Sequence, residues 1–173
     1  MSCFDNAVDF MLVNECGPMF SDKVAIDNDG GLVKYGINSK SNPDLLILYG
    51  ARLERLDLAA AKLEYKARYW LPIMDQLKSQ RVAAKVLDAL VNMGKVPAVK
   101  LLQQAVTVLG ITVPCDGVMG PQTIMAANAM QEDGLIYELC VQARTRYSKI
   151  VQAHPEDQPY LAGWMARASK VPA

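Results

Sequence analysis

The sequence predicts a mainly α-helical fold with a small β-hairpin near residues 18–37. Apolar residues recur at helical spacing through most of the 173 residues. The segment 16–37 interrupts that pattern, because its glycines and Pro18 separate two short apolar runs, as in a hairpin. The hydrophobic content of 51% is enough for one compact domain, or for one domain with a small appended part.

The first helix begins at the N-terminus, where Ser2 and Asp5 resemble a capping box. Glu15 ends its apolar run and lies on or next to the apolar stripe, so we expect the Glu15 side chain to be partly buried. A partly buried carboxyl group keeps its proton more readily, which a general acid requires. Glu15 is therefore the first candidate for a catalytic role.

The later helices are bounded by prolines and glycines. Pro43 can start a helix over 44–56, and a longer helix from Leu56 or Asp57 stops at Pro72. Gly94 and Gly110 each end a helix. The further helices are expected at 79–93, 98–110, 121–131, 135–152 and 159–169.

Charge and hydropathy exclude several classes of function. The 18 basic and 18 acidic residues cancel, which leaves no global attraction to nucleic acid or to an anionic membrane. No stretch approaches the ~18 apolar residues of a membrane-spanning helix. The N-terminal segment lacks the basic region of a signal peptide, so we expect synthesis in the cytoplasm.

The cysteines do not form a metal-binding motif. Cys3, Cys16, Cys115 and Cys140 have no CxxC spacing, and His154 is the single histidine. We therefore expect no metal site and no cofactor. Free and mostly buried thiols are favoured over a disulfide pair.

Four separated segments carry a family resemblance. They are NECG…DGGLVKYGI (14–37), LDLAAAKLEYKARYW (56–70), LDALVNMGKVPAVKLLQQAV continuing into CDGVMGPQTIMAA (87–127), and the tail RYSKIVQ…YLAGWMARAS (146–169). In this order and spacing the set resembles the glycoside hydrolase family 108 muramidases, which are lysozyme-like enzymes of phages and of bacterial secretion systems. The resemblance implies a lysozyme-like helical fold. It also implies a catalytic part over 1–95 and a peptidoglycan-binding-like part over 96–173 packed on it, or one single compact domain.

The family motifs imply catalytic roles for two residues. The acid of the EGG motif falls on Glu15, which would be the general acid. The Asp of the next motif falls on Asn28, and its Thr falls on Val33. A slip of one residue in the loop would give the role of the Asp to Asp27, although turn chemistry is a simpler reading of Asp27.

The same resemblance implies five substrate-binding residues, Asn28, Tyr35, Trp70, Asn92 and Asp116. Tyr35 and Trp70 could stack on sugar rings, but aromatic residues at helical spacing are more often core, and core is slightly favoured for Trp70. Asn92 is either a cleft-lining amide or an ordinary residue at a helix end. Asp116 belongs to a DGxxGxxT pattern that resembles the glycan-facing loop of peptidoglycan-binding modules.

The predicted function is that of a peptidoglycan muramidase, which hydrolyses the β-1,4 bond between N-acetylmuramic acid and N-acetylglucosamine. Its expected partner is bacterial peptidoglycan, with no nucleic acid and no membrane insertion. We expect a monomer that acts on the cell wall in the periplasm or outside the cell, as an endolysin or a secreted bacteriolytic enzyme does, and leaves the cytoplasm through a holin or a secretion machine. Asn28 and Val33 motivate an alternative, a catalytically weak or inactive peptidoglycan-binding relative. A helical protein-interaction adaptor is a third reading, which rests on helical composition alone.

Overall fold

The computed structural model describes residues 2–27, 29–48 and 52–173. Within these ranges the chain forms eight α-helices and one three-stranded sheet, which confirms the predicted mainly α fold class. The helices are α1 (Phe4–Cys16), α2 (Pro43–Leu48), α3 (Leu58–Tyr69), α4 (Gln80–Met93), α5 (Lys95–Val108), α6 (Pro121–Ala129), α7 (Glu132–Ala153) and α8 (Leu161–Ser169). The strands are β1 (Ala25–Ile26), β2 (Leu32–Lys34) and β3 (Ile37–Asn38), and short 3-10 segments occur at Leu53–Arg55, Pro72–Gln76 and Pro155–Tyr160.

The start of α1 is held by tertiary contacts and not by a capping box. Cys3 occupies the N-cap position and makes no side-chain cap, so the prediction for Ser2 and Asp5 is wrong. The hydroxyl of Ser2 instead donates a hydrogen bond of 2.6 Å to the carbonyl oxygen of Met74, and its backbone N–H donates to Leu77 at 2.7 Å. These bonds fix the beginning of α1 against the segment that follows α3.

The predicted hairpin is one half of an antiparallel sheet with strand order β1-β2-β3. Tyr35 and Gly36 form the two-residue connection between β2 and β3, in which Lys34 pairs with Ile37. Both connecting residues have positive φ, 52° for Tyr35 and 79° for Gly36. Positive φ at both central positions is the requirement of a type I′ turn, whose twist suits two antiparallel strands.

Several helix boundaries differ from the prediction; α7, for example, begins at Glu132 and not at Leu135. The helix expected over 44–56 ends as α2 at Leu48, and Leu53–Arg55 is a 3-10 turn, while residues 49–51 lie outside the described part of the chain. The helix expected from Pro97 begins at Lys95, because proline in the first helical turn lacks only an N–H that has no partner there. Gly94, with φ of 84°, makes the break between α4 and α5.

The hydrophobic core is shared by the two parts of the chain. One cluster of buried side chains extends from Phe4 in α1 to Leu139 in α7, with α4 at its centre. A second cluster lies among α5, α7 and α8 and includes Leu101, Tyr147 and Ala168. The helices before Gly94 and those after it are therefore packed against each other through α4, α5 and α7.

All four cysteines are free thiols, as expected. Cys140 is buried and Cys16 is partly buried, but Cys3 and Cys115 are exposed, so the expectation of mostly buried thiols is wrong for these two. None of the helices in the described ranges has the length and apolarity needed to cross a membrane.

Candidate active site

A cleft of about 260 Å³ opens where α1, the β2–β3 turn, α3 and α4 meet. The end of α1 contributes Glu15 to its wall, and α3 contributes Glu64 and Arg68. The polar lining residues are Glu15, Asn38, Ser41, Asn42, Glu64, Arg68 and Asn92. The cleft thus holds the acid that the sequence motif singled out, within a ring of amides, hydroxyls and one guanidinium.

Glu15 is positioned by the last turn of α1 and by the close approach of Gly36. A Cβ atom at Gly36 would lie 2.7 Å from the Cβ of Glu15 and 3.1 Å from its Oε2, so a side chain larger than hydrogen does not fit. The hydroxyl of Tyr65 is also near, at 2.9 Å from that Cβ position. The Glu15 side chain is 18% exposed, which agrees with the partial burial predicted from the helical stripe.

The carboxylate of Glu15 shares an arginine with a second acid. The Nη2 atom of Arg167 lies 2.6 Å from Oε1 of Glu15 and 2.8 Å from Oδ1 of Asp88. Asp88 also accepts from Nε of Arg167 at 3.2 Å and from Nδ2 of Asn14 at 2.9 Å. Asp88 is 6% exposed and Arg167 is 14% exposed, so this network lies almost entirely out of water.

The charges of this network are unevenly matched, since two carboxylates share one guanidinium. Burial alone would lower the pKa of Arg167, but Asp88 and Glu15 together raise it above its ordinary value, so Arg167 stays charged. Arg167 makes three contacts with these acids, of which two go to Asp88.

Tyr65 closes the floor of the cleft next to Glu15. Its hydroxyl donates a hydrogen bond of 3.0 Å to the carbonyl oxygen of Tyr35. Burial, and then the nearby Glu15, raise the pKa of the Tyr65 hydroxyl far above its ordinary value. Tyr65 is therefore a neutral donor that holds the β2–β3 turn against α3.

Glu64 is a second carboxylate on the cleft wall, which the sequence reasoning missed. It is partly buried and lies 3.2 Å from Nε of Arg68, one helical turn further along α3. Arg68 also forms an ion pair with Asp44 at the start of α2 and contacts Asn42 at 3.4 Å. Glu64 and Arg68 therefore form an i,i+4 ion pair on α3. This helical spacing is the sequence signal that could have pointed to them.

Asn92 lies on the cleft wall, as one of its two predicted readings required. It occupies the last turn of α4, and its Oδ1 accepts a hydrogen bond from the Tyr147 hydroxyl of α7. Both readings of Asn92 are therefore compatible, because the residue is at a helix end and also reaches the cleft.

Asp27 lies in the β1–β2 loop. It contacts a residue of the cleft wall but is not itself among the described residues that line the cleft. Oδ2 of Asp27 accepts a hydrogen bond of 3.0 Å from Nδ2 of Asn38, which does line the cleft. Asp29 accepts from the same amide group at 3.2 Å and from the backbone of Gly31 at 2.7 Å. The predicted substrate-binding residue Asn28 lies outside the described residues.

Three predicted substrate-binding residues lie elsewhere. Tyr35 and Trp70 are 6% and 8% exposed, and neither is among the described residues that line the cleft, which corrects their predicted stacking role. Trp70 packs edge-on against Phe4 at 5.7 Å, so it is a core residue. Asp116 folds its own loop, by accepting from the backbone of Val118 at 2.8 Å and from the buried Gln103 at 2.8 Å, and it is also absent from that lining.

Hydrogen bonds to Asp116 favour the charged form of its carboxyl group. The Val118 N–H and then the Gln103 amide lower the pKa of the Asp116 carboxyl below its ordinary value.

Over the described ranges, no three His, Cys, Asp or Glu side chains are grouped in a way that could hold a metal ion.

Comparison with known proteins agrees with this geometry. The family profile "Glycosyl hydrolase 108" matches residues 8–94, and the profile "Predicted Peptidoglycan domain" matches residues 97–169. No curated protein matches the chain. Among solved structures, "Structure of Brucella abortus SagA" is similar, with 26% identity and a TM-score of 0.67 over 96% of this chain and 89% of that chain.

These matches and the observed helices support a lysozyme-like, mainly α fold and a hydrolase that acts on peptidoglycan. The hydrolase profile runs from within α1 to the end of α4, and this segment contains every described cleft residue. The chain belongs to glycosyl hydrolase family 108.

Proposed function

We propose that the protein is a muramidase that hydrolyses the β-1,4 bond between N-acetylmuramic acid and N-acetylglucosamine, with Glu15 as the general acid. The observation that carries this proposal is the position of Glu15, which is the motif acid and lies partly buried on the wall of the cleft. A glycosidase acid donates a proton to the leaving oxygen, while the sugar develops oxocarbenium character.

The shared arginine supports this acid role. In the free protein, Arg167 stabilises the Glu15 carboxylate through the contact of 2.6 Å. Arg167 in turn is held by Asp88 at 2.8 Å, so the two residues fix the direction of the Glu15 side chain in the cleft. In this scheme Asp88 and Arg167 are positioning residues.

The second carboxylate of the reaction has two candidates. Glu64 shares the cleft wall with Glu15 and is our preferred partner, as base or as nucleophile. Asp27 keeps a role through its hydrogen bond to Asn38, whose amide it orients towards the bound sugar or the attacking water. Asn92 and the partly buried Tyr69 are the lining residues that we propose as sugar contacts.

The test is clearing of purified peptidoglycan sacculi by the wild type and by Glu15→Gln. The amide keeps the shape of the side chain but cannot donate the proton, so we expect a loss of at least about 100-fold in rate. The matched control is Glu156→Gln, an exposed acid that pairs with His154 and should leave the rate unchanged. Equal rates for wild type and Glu15→Gln would refute the assignment.

Two observations favour a second candidate function, a peptidoglycan-binding protein with little or no hydrolysis. Val33 places a methyl group where the family motif has a hydroxyl, and Oε1 of Glu15 is occupied by its contact of 2.6 Å with Arg167. If wild type and Glu15→Gln both pellet with sacculi but neither clears them, this second function is correct and the muramidase proposal fails.

We further propose that the protein works as a monomer on the cell wall, in the periplasm or outside the cell, as an endolysin or secreted bacteriolytic enzyme delivered by a holin or a secretion machine. The match to a peptidoglycan domain supports the site of action. Sedimentation of the purified protein at one molecular mass across concentrations would support the monomer, and a concentration-dependent mass would exclude it.

A further inference from the structure

A second groove lies on the opposite part of the fold from the cleft residues, between α5 and α7. It has a volume of about 350 Å³, within the range of small-ligand pockets. Facing rows of the two helices line it, at residues 97–104 of α5 and 142–153 of α7. Nothing in the proposed cleavage of the glycan uses this groove.

The groove is basic. Lys100, Arg146 and Lys149 line it, and none of the three forms an ion pair within the described residues. No Asp or Glu is among its described lining residues. Two acids lie nearby: Asp116 folds its own loop and is near enough to Lys100 for that charge to lower its pKa, and Glu156 pairs with His154, which also lines the groove.

Arg146 adds an unsatisfied donor to this arrangement. Its Nε atom is shielded from solvent and has no hydrogen-bond partner in the part of the chain that the structure describes. A buried N–H without a partner is destabilising, and it is more so in a charged group. An anion that entered the groove beside Arg146 would compensate this charge, because the planar guanidinium suits a carboxylate.

The rest of the lining favours a peptide over other anions. Gln104, Gln142 and Thr145 offer amides and a hydroxyl that match peptide groups, and Leu101 and Ile150 offer an apolar wall for aliphatic side chains. Among the described residues, the lining contains no Phe, Tyr or Trp on which a base could stack, and His154 is its single aromatic ring, which disfavours nucleic acid. The net charge of zero also disfavours a general polyanion-binding surface.

We propose that the α5–α7 groove binds the carboxylates of the peptide stem of peptidoglycan. This inference rests on the proposed function, because it takes the cell wall as the target. The groove would hold the peptide while the cleft holds the glycan, so that two distinct surfaces of one chain recognise the two chemistries of the wall. Lys100 and Lys149 supply charge at the mouth, and Arg146 lies deeper.

The experiment is calorimetric titration of the full chain with a synthetic stem tripeptide that carries free carboxylates and no sugar. We expect Lys100→Gln with Lys149→Gln to weaken binding roughly tenfold or more, since hydrogen bonds to charged groups are involved. Arg146→Gln should weaken it similarly. The matched control is Lys23→Gln with Lys78→Gln, which removes two exposed lysines outside the groove and should leave the affinity unchanged.

Two further probes give the proposal definite outcomes. The same tripeptide with its carboxylates amidated should lose affinity for the wild type as the lysine variant does, and equal binding of both peptides would overturn the proposal. Tighter binding of an oligonucleotide at the groove lysines would also overturn it, in favour of a polyanion site. Because the peptide contains no glycosidic bond, failure to bind it and failure to clear sacculi are separate results.

Discussion

The residue that determines the geometry of the site is Gly36 as much as Glu15. The acid and the glycine are in van der Waals contact across the cleft floor, and Tyr65 fastens the turn through the Tyr35 carbonyl. The turn needs positive φ at Gly36, and the contact needs the absence of a side chain. One residue thus satisfies a backbone requirement and a packing requirement together.

Gly36→Ala should therefore impair catalysis beyond its effect on stability. The new Cβ would lie 2.7 Å from the Cβ of Glu15 and would displace the acid, so we expect a loss on the order of 100-fold in sacculus clearing. Gly110→Ala is the matched control, because Gly110 also has positive φ but no atom near its Cβ position. It should cost roughly 1–2 kcal/mol in the free energy of unfolding and keep the rate. Equal loss of activity in both variants would contradict this role of Gly36.

For single residues, the sequence predicted those positions and burials that follow from a local pattern. The helical stripe placed Glu15 correctly as a partly buried residue at the end of α1. Tyr35 was mispredicted because a motif does not reveal which way a ring points, and in the fold its ring is buried while its backbone makes the turn. Arg167 had no local signal, since it lies 152 positions after Glu15 in the sequence and meets it only in the folded chain.

At the scale of elements, α8 supplies the arginine of the site and is held at both ends. Near its start Trp164 stacks on Tyr147 of α7 at 5.3 Å. At its end the buried ammonium of Lys85 in α4 donates to the carbonyl oxygens of Ala168 at 2.9 Å and Lys170 at 2.6 Å. These carbonyls lack partners within the helix, so a cation there completes the C-terminal turn.

Arg167→Gln should show how much the last helix contributes to the site. Removing the guanidinium leaves Glu15 and Asp88 as two poorly hydrated carboxylates, so we expect a loss of roughly 3–5 kcal/mol in the free energy of unfolding. Chemical denaturation near neutrality measures this loss.

The matched double variant, Arg167→Gln with Asp88→Asn, separates electrostatics from packing. It removes one positive and one negative charge together, Asp88→Asn keeps the shape of that side chain, and the shortening at position 167 is the same as in the single variant. We expect it to recover much of the stability that Arg167→Gln alone loses. If the double variant is as unstable as the single one, then packing and not charge holds α8 to the cleft.

The helices were predictable where the spacing of apolar residues and the residues that start or end a helix agree. The helical spacing of apolar residues and Gly94 predicted α4 correctly. The Ser79 side chain caps its start by accepting a hydrogen bond from the Val82 N–H, and Gly94 ends it. The N-terminus of α1 was mispredicted because Ser2 has a better partner, the Met74 carbonyl, which lies 72 positions away in sequence. Local capping signals fail wherever such a tertiary partner competes for the same side chain.

At the scale of the whole molecule, Arg81 connects the two parts of the chain. From the first turn of α4, its guanidinium reaches Glu132 at 2.8 Å and Asp133 at 2.7 Å, both at the start of α7. Its Nε also donates to the carbonyl oxygen of Pro172 at 3.0 Å, near the end of the chain. The link joins the segment of the hydrolase profile to the segment of the peptidoglycan profile.

This link predicts a pH dependence of thermal stability. The Arg81 guanidinium lowers the pKa of Asp133, and the Ser79 hydroxyl followed by Arg81 lowers that of Glu132, below the ordinary values of 3.8 and 4.5. Because the folded state holds these protons less tightly than the unfolded state, the stabilisation is complete above about pH 4.5 and is lost as pH falls through the lowered values.

Arg81→Gln should therefore lower Tm at pH 6, and this effect should become smaller as pH falls towards 2.5 and the two acids take up protons. Arg55→Gln is the matched control, because Arg55 is exposed and has no ion pair within the described ranges, so its small effect on Tm should not change with pH. Scanning calorimetry between pH 2.5 and pH 6 measures both differences. A Tm difference for Arg81→Gln that is constant over this range would mean that Arg81 joins the two parts through its Pro172 contact and its aliphatic stem, and not through its charge.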